Sequence, residues 1–167
     1  MKNYETERLF IREFNTEDAE FLLELYNMPK FIQFIGDRNI KTVEEAQQYI
    51  QEKFRPQIDR LGFGNFVIML KHNQQKIGSV GIIEREGLAI VDIGFSLLPE
   101  FEGKGYAYEA ANRLKEIAAT DWGIEKLSAI TVKDNFASQK LIQRLGLQFK
   151  KMVNLPDDPE ELLYYEN

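Results

Sequence analysis

The segment FEGKGYAYEA (residues 101–110) places small residues at alternate positions where a strand-forming run, VDIGFSLL, gives way to a helical pattern. These small residues are Gly103, Gly105 and Ala107. Small side chains let a ligand approach the main chain, and the first N–H groups of a helix have no partners within the helix. These donors and the helix dipole favour an anion. The segment therefore predicts a diphosphate site, to which Lys104 could add a positive charge.

The glycines also have a simpler interpretation. Gly103 and Gly105 suit a tight turn, and Ala107 suits close packing of the helix, so the glycines alone favour this reading. Neither common nucleotide fingerprint is present. The chain has no G-x-x-x-x-G-K-S/T loop, and Tyr108 stands where G-x-G-x-x-G needs its third glycine. The diphosphate interpretation thus needs support from the rest of the chain.

The composition excludes several classes of protein. With 167 residues the chain suits one domain and is too short for two of ordinary size. The formal net charge of −6 disfavours nucleic acid and anionic membranes as partners and mildly favours a cationic one. The absence of cysteine excludes disulfides and an acyl-cysteine intermediate. No spacing of histidine and carboxylates predicts a metal site, and the single histidine, His72, falls in a turn.

The N-terminal sequence MKNYETERLFIREF lacks the continuous apolar core of a signal peptide. No segment approaches the run of about 18 apolar residues that a membrane-spanning helix needs. We therefore expect a cytoplasmic protein.

Hydrophobic periodicity predicts both strands and helices along the chain. Residues 55–65, with one proline and two glycines, are expected to form a loop. The strand–helix–strand unit over 91–132 should be a right-handed crossover with parallel strands. In chain order the predicted elements are a strand over 8–14, helices starting near Asn15 and Thr42, strands over 66–70, 76–84 and 88–98, a helix over about 107–122, a strand over 126–132, a helix over about 136–145, and strands near 147–153 and 162–166.

Residues 91–110 resemble the acetyl-coenzyme A binding segment of the GNAT superfamily of N-acetyltransferases, whose usual pattern is Gln/Arg-x-x-Gly-x-Gly/Ala. Gly105 and Ala107 match the last two places, whereas Glu102 stands where the family has Gln or Arg. The surrounding P-E-F-x-G-K-G-Y-A-x-E-A is similar to the branch that acts on ribosomal-protein N-termini (RimJ/RimL-like). The same branch is resembled by TERLFIREFNTEDAEFL near the start and by DNFASQKLIQRLGLQF near the end.

The resemblance implies one α+β domain over residues 1–167. Its sheet would be twisted, mixed and mostly antiparallel, with about seven strands flanked by about four helices. The sheet would be split between the fourth and fifth strands, over 91–98 and 126–132, and the pantetheine arm of the cofactor would lie in the split.

The resemblance also implies a binding site for acetyl-coenzyme A as acyl donor, without a metal. The main-chain groups of Phe95, Ser96 and Leu97 would pair with the pantetheine amides, as an added strand pairs with a sheet edge. Asn135 and Ser138 match positions that contact the cofactor in the family. Asn135 is also a good helix N-cap, and Ser138 equally suits a first-turn position. The implied cofactor-binding residues are Phe95, Ser96, Leu97, Gly103, Lys104, Gly105, Tyr106, Ala107, Tyr108, Asn135 and Ser138.

Acetyl transfer needs a neutral amine, a stabilised oxyanion and a proton for the departing thiolate. Asp92 occupies a strand position where the family commonly has glutamate, which implies a general base that acts through water because its side chain is one methylene shorter. Alternation places Asp92 on the face opposite Ile93 and Phe95. The N–H of Leu97 would polarise the thioester carbonyl. A solvated or ion-paired strand residue remains the alternative for Asp92.

The proton donor to the thiolate is open. Many family members have a tyrosine in the N-x-x-S helix, but this chain has Ile142 there. Tyr108, Ser138 and solvent remain as alternatives. The aromatic residues of FIQFIG, Phe31 and Phe34, are expected in the core, although the segment could border an acceptor pocket.

These features predict an N-acetyltransferase that moves the acetyl group directly to a primary amine in a ternary complex. The acceptor would be a protein N-terminus or a small amine, with no nucleic acid and no membrane as partner; a homodimer stays open. The missing tyrosine and the shortened acid leave a second function, a non-catalytic acyl-coenzyme A binding or sensing module. A general nucleotide-binding protein is a weaker third.

Overall fold

One eight-stranded sheet organises the chain in the computed structural model, which describes residues 2–167. The strand order is β1-β2-β3-β4-β5-β6-β8-β7, and among the strands of residues 2–167 only β5 and β6 are parallel neighbours. The mixed, mostly antiparallel sheet is as predicted. The strands are β1 (Asn3–Glu5), β2 (Leu9–Glu13), β3 (Asn65–Leu70), β4 (Lys76–Ile83), β5 (Asp92–Leu97), β6 (Ser128–Thr131), β7 (Gln148–Val153) and β8 (Leu162–Glu166).

The sheet has one strand more than expected. The additional strand is β1, which pairs antiparallel with β2 and has only three residues. Three residues are too few to show the period-2 alternation by which a strand is recognised in a sequence.

The helices form five segments within residues 2–167, besides two short 3₁₀ turns, where four were expected. The additional segment is α2, a six-residue helix that begins at Pro29, a residue well suited to the first helical position. A π-helical turn (Ile50–Phe54) joins α3 and α4 into one segment. The helices are α1 (Ala19–Tyr26), α2 (Pro29–Phe34), α3 (Val43–Tyr49), α4 (Arg55–Leu61), α5 (Tyr106–Asp121) and α6 (Phe136–Arg144).

The prediction of a loop over residues 55–65 is wrong. Helix α4 continues to Leu61, and β3 begins at Asn65. Pro56 is tolerated because it lies in the first turn of α4, after the π-helical turn has shifted the hydrogen-bond register. Gly62 ends the helix in the left-handed conformation, with φ of +81° and its N–H bonded to the carbonyl of Ile58 at 2.8 Å.

Both faces of the sheet are covered by helices, because its strands alternate apolar residues between two cores. Phe66 and Ile68 of β3 pack in the core that contains α5 and residues of α6. Val67, between them, packs in the second core with α1 and α3. Trp122 packs against the first of these cores and stacks on Phe66 with ring centroids 6.1 Å apart. Strand β5 therefore runs through the middle of a sheet with both faces buried.

The sheet is split beside β5. Strand β5 pairs with β4 along its whole length, from Asp92 to Leu97. Within residues 2–167, its register with β6 has one pair, Asp92 opposite Ser128, and the N–H of Ser128 donates to the carbonyl of Val91 at 2.9 Å. The predicted split and the predicted parallel crossover through α5 are confirmed.

Candidate active site

A cleft of about 660 Å³ lies where β5 and β6 separate. Its walls come from the end of β5, the loop before α5, the first turn of α5, the start of α6 and the apolar side of α2. Ten of the eleven sequence-predicted cofactor residues line it, so the fold brings together segments that are about 40 residues apart in the chain. They are Phe95, Ser96, Leu97, Gly103, Gly105, Tyr106, Ala107, Tyr108, Asn135 and Ser138.

Lys104 is the exception. Its ammonium lies 5.8 Å from the ring centroid of Phe101, and Lys104 is not among the residues that line the cleft. Its carbonyl accepts a hydrogen bond from Nη1 of Arg8 at 2.9 Å. The structure therefore does not bring the Lys104 side chain to the predicted diphosphate position.

The start of α5 presents unpaired N–H groups to the cleft. Gly105 precedes the helix with φ of +83°, a conformation that strains any residue with a Cβ, and no side chain of residues 2–167 caps the helix. The first N–H that bonds back into the helix is that of Glu109, to the carbonyl of Gly105 at 3.0 Å. The N–H groups of Tyr106, Ala107 and Tyr108 precede this bond and so have no intrahelical acceptor.

Arg8 braces this turn from the N-terminal side of β2. Its Nε lies 2.7 Å from Oε1 of Glu109, and its guanidinium lies 4.3 Å from the ring centroid of Tyr106. Partial burial raises the pKa of Glu109, but hydrogen bonds from Thr6 and Arg8 outweigh it and lower the pKa. Sequence analysis missed Arg8, because its partners are about 100 residues away and no local pattern signals them.

Every second residue of β5 directs its main-chain N–H and carbonyl groups into the split. The N–H of Leu98 donates to the carbonyl of Ile77, on the β4 side. Because successive residues of a strand point their main-chain groups to opposite edges, Leu97 and Phe95 point theirs into the split. The carbonyl of Ser96 faces β4, where it leaves no room for a Cβ at Gly78. The predicted pairing is therefore wrong for the Ser96 main chain, although Ser96 still lines the cleft.

Asp92 lies at the closed end of the split, outside the cleft lining. Asp92 is only 2% exposed. Its carboxylate pairs with Arg85, with 3.1 Å between Nε and Oδ1 and 3.4 Å between Nη2 and Oδ2. Burial raises the pKa of Asp92, and the Arg85 guanidinium opposes that rise without cancelling it. Arg85 follows β4 in a charged turn that gave no functional signal.

The face of β5 that carries Asp92 has free space. Ile93 packs in the core that contains α5, so Asp92, Gly94 and Ser96 point to the opposite face, as predicted. A Cβ built at Gly94 meets no atom within 4 Å. A small group therefore has room two residues from Asp92.

Helix α6 forms the opposite wall. Asn135 caps it as predicted, since its Oδ1 accepts from the N–H of Ser138 at 3.2 Å. Ile142, at the position of the family's usual tyrosine, is buried in the core, while Leu141 lines the cleft. The hydroxyl-bearing residues Tyr108 and Ser138 also line the cleft.

Helix α2 closes the cleft from the side of the aromatic segment. Phe31 and Phe34 both line it, and Phe31 is also buried in the second core. Lys30 spans from α2 to the loop before α5, where its Nζ lies 2.7 Å from Oε2 of Glu102. This pair joins the helix to the residue that departs from the family's Gln or Arg.

Residues 8–148 match the model of the acetyltransferase (GNAT) domain family. The chain belongs to this family. The N-acetyltransferase p20 of Bacillus licheniformis, whose function is uncharacterised, is 28% identical over 151 residues, covering 89% of this chain and 83% of p20. The chain is thus a GNAT-type acyltransferase, and GNAT acetyltransferases use acetyl-coenzyme A.

Solved structures agree on the fold. RimL, a ribosomal L7/L12 α-N-protein acetyltransferase in complex with coenzyme A, superimposes with a TM-score of 0.84 at 18% identity, covering 99% of this chain and 97% of that one. The ribosomal-protein-S5-alanine acetyltransferase of Vibrio fischeri gives 0.82 at 18% identity, with 100% and 96% covered.

Within residues 2–167, no group of three or more His, Cys, Asp or Glu side chains is arranged to hold a metal ion. No helix in this part of the chain is both long enough and apolar enough to span a bilayer. His72 is exposed in the turn after β3.

Proposed function

We propose that this enzyme transfers the acetyl group of acetyl-coenzyme A directly to a primary amine while both are bound. The observation that carries the proposal is the split beside β5, where outward-facing main-chain groups continue into the uncapped first turn of α5. The β5 side of the cleft can thus pair with a chain that carries amide groups. The end of the cleft at α5 can bind an anion. Pantetheine joined to a diphosphate has both features in that order.

The cofactor is proposed to complete the sheet. The pantetheine amides pair with the main chain of Phe95 and Leu97, in the manner of an added strand. The diphosphate then meets the N–H groups of Tyr106, Ala107 and Tyr108 at the helix N-terminus. Arg8, paired with Glu109, lies behind Gly105 and supports this turn.

The amine is proposed to approach on the face of Asp92 and Gly94. Its nitrogen attacks the thioester carbonyl, whose oxygen is held by the N–H of Leu97, and a proton passes through water to the Asp92 carboxylate. The carbon–sulfur bond then breaks and coenzyme A leaves as a thiolate that takes up a proton. Arg85 orients the Asp92 carboxylate and favours its ionised form.

A protein N-terminus is the first acceptor to test. An α-amine has a pKa of about 7.7 to 8.0 and the lysine side chain about 10.4, so the α-amine is far more often neutral at pH 7. Two structural neighbours are named as ribosomal-protein acetyltransferases, and one of them as an α-N-protein acetyltransferase, which supports the same class. The net charge of −6 also favours a cationic acceptor, including a small amine.

The test is thermal-shift binding of acetyl-coenzyme A, followed by release of coenzyme A with a panel of peptides and small amines. A ligand present at 100 times its Kd should stabilise the native state by about 2.7 kcal/mol. Steady release with at least one amine supports the transferase. Tight binding without release across the panel would instead support the sensing module.

A further inference from the structure

A second cavity, of about 390 Å³, adjoins the cleft at the first turn of α5. The two cavities share Gly105, Tyr108 and Arg144, so they meet where the proposed diphosphate site ends. Sequence analysis assigned no role to Arg144, because the diphosphate interpretation was limited to the loop and the first turn of α5.

Arg144 lies at this junction with its guanidinium on an aromatic ring. It is the last residue of α6, and its Cζ is 3.7 Å from the ring centroid of Tyr108. Stacking on a tyrosine face holds the planar guanidinium and leaves its N–H edge free to bind an anion. Tyr108 also supplies one of the first-turn N–H groups of α5, so the guanidinium is one side chain away from those donors.

The other cations of the second cavity are already engaged. Arg8 pairs with Glu109. Arg113 has its Nη1 3.5 Å from Oε2 of Glu116, and its Nε donates to the carbonyl of Glu5. Among residues 2–167 no carboxylate forms an ion pair with Arg144. The carboxylates of Glu109 and Glu116 disfavour binding of an anion deep in the second cavity, because they carry negative charge. An anion at the shared mouth meets Arg144 instead.

The cofactor's covalent structure supplies such an anion. The ribose of coenzyme A carries the diphosphate on its 5′ carbon and a separate phosphate on its 3′ carbon. Only the ribose ring separates the two phosphate groups. A diphosphate on the first turn of α5 therefore places the 3′-phosphate close to Tyr108. Guanidinium groups bind phosphate through paired hydrogen bonds, so Arg144 suits this group.

We propose that Arg144, positioned by Tyr108, binds the 3′-phosphate of coenzyme A and makes the enzyme discriminate against the dephosphorylated cofactor. This inference rests on the proposed function, because it takes the diphosphate to lie on α5. It adds a residue that selects between cofactor forms, where the loop alone would accept both.

The experiment compares the Kd of acetyl-coenzyme A with that of acetyl-dephospho-coenzyme A by calorimetry at one fixed salt concentration. The wild-type protein should bind the phosphorylated form at least about tenfold more tightly, as expected for a charged hydrogen bond. Arg144→Gln should bring the ratio of the two constants close to one by weakening only acetyl-coenzyme A. Arg144→Lys should give an intermediate ratio, since it keeps the charge and loses the fork.

Arg113→Gln is the matched control, because it removes an equal charge from the same cavity at a position already paired. It should keep the wild-type ratio. Tight binding of both ligands at equal strength by the wild-type protein would overturn the role of Arg144 and leave the proposed function standing. An equal loss for both ligands in Arg144→Gln would overturn it as well, whereas a wild-type protein that binds neither ligand would overturn both proposals.

Discussion

Asp92 and Arg85 form a buried pair whose chemistry depends on the protonation of one carboxylate. A water-mediated base must be ionised to accept a proton, and burial raises the pKa of Asp92. As the pH falls through that raised pKa, the carboxylate is protonated and the base is lost. The wild-type rate should therefore fall on the acid side for a reason that is separate from protonation of the amine.

Asp92→Asn tests this directly. We expect turnover to fall about 100-fold, with the Kd of acetyl-coenzyme A unchanged and the additional acid-side loss absent from the pH profile. Steady-state kinetics across pH provide the measurement. Glu84→Gln, which alters a neighbouring but exposed ion pair, is the control. Unaltered turnover at every pH would leave Asp92 as the partner of Arg85 only.

Gly94 tests the side from which the amine approaches. Gly94→Val fills the free space beside Asp92 with a side chain that strands accept readily. The KM of the amine should rise about tenfold or more, while the Kd of acetyl-coenzyme A stays within about twofold. Calorimetry and initial-rate kinetics separate the two constants. An unchanged KM would mean that the amine approaches elsewhere.

At the scale of elements, the turn between β5 and α5 is where sequence and structure agree best. The small residues predicted the start of a helix, which the structure confirms at Tyr106, and the close approach of a ligand, which stays a prediction. Their local spacing carries that information, because a left-handed glycine and an uncapped helix start are properties of consecutive residues. The split was predicted only through the family resemblance.

The supporting side chains could not be predicted in the same way. Arg8 binds Glu109 and Lys30 binds Glu102 across separations of 101 and 72 residues, so no window of sequence contains both partners. The place of Lys104 in the loop predicted a phosphate contact, whereas its side chain lies over Phe101 and outside the cleft lining, so this contact stays a prediction. Pro56 and Gly62 predicted a loop, whereas Pro56 lies in the first turn of α4 and Gly62 ends that helix.

Gly105→Val should abolish the turn's capacity to bind the cofactor. The substitution puts a branched side chain at φ of +83° and brings its Cβ to 3.3 Å from Nη2 of Arg8. We expect the thermal shift with acetyl-coenzyme A to be lost. Because the strain also lowers stability, the melting temperature without ligand must be measured, and Gly123→Val, at φ of +67° but outside the cleft, controls for backbone strain alone. Undiminished binding in Gly105→Val would refute the diphosphate assignment.

At the scale of the whole molecule, Asp18 ties the helical layer to the sheet. Its buried carboxylate lies 2.8 Å from Nη1 of Arg12 on β2 and 2.6 Å from Nζ of Lys76 on β4. It also accepts the N–H of Asn15 at 2.9 Å, just before α1. Burial raises the pKa of Asp18, but these hydrogen bonds outweigh it and hold the pKa below its usual range.

Asp18→Asn should destabilise the protein by about 3 kcal/mol at neutral pH, because two cations lose their buried partner. A depressed pKa in the folded state means that the stabilisation is complete above the unfolded pKa of about 3.9 and is lost as pH falls further. Urea unfolding should thus show a gap between wild type and variant at pH 7 that narrows in acid. Asp59→Asn, in an exposed pair with Arg55, should leave the unfolding free energy nearly unchanged. A pH-independent gap would contradict this role for the Asp18 charge.

The single register pair between β5 and β6 has a consequence for the catalytic cycle. The split divides the sheet into two parts, β1–β5 and β6–β8. Within residues 2–167, the neighbouring strands of these two parts are paired at only one position. In the proposed complex, the donor in the gap would supply the main-chain hydrogen bonds that β6 does not make with β5. Each round of acetyl transfer would then form and remove part of the enzyme's own sheet, with the cofactor as a strand that comes and goes.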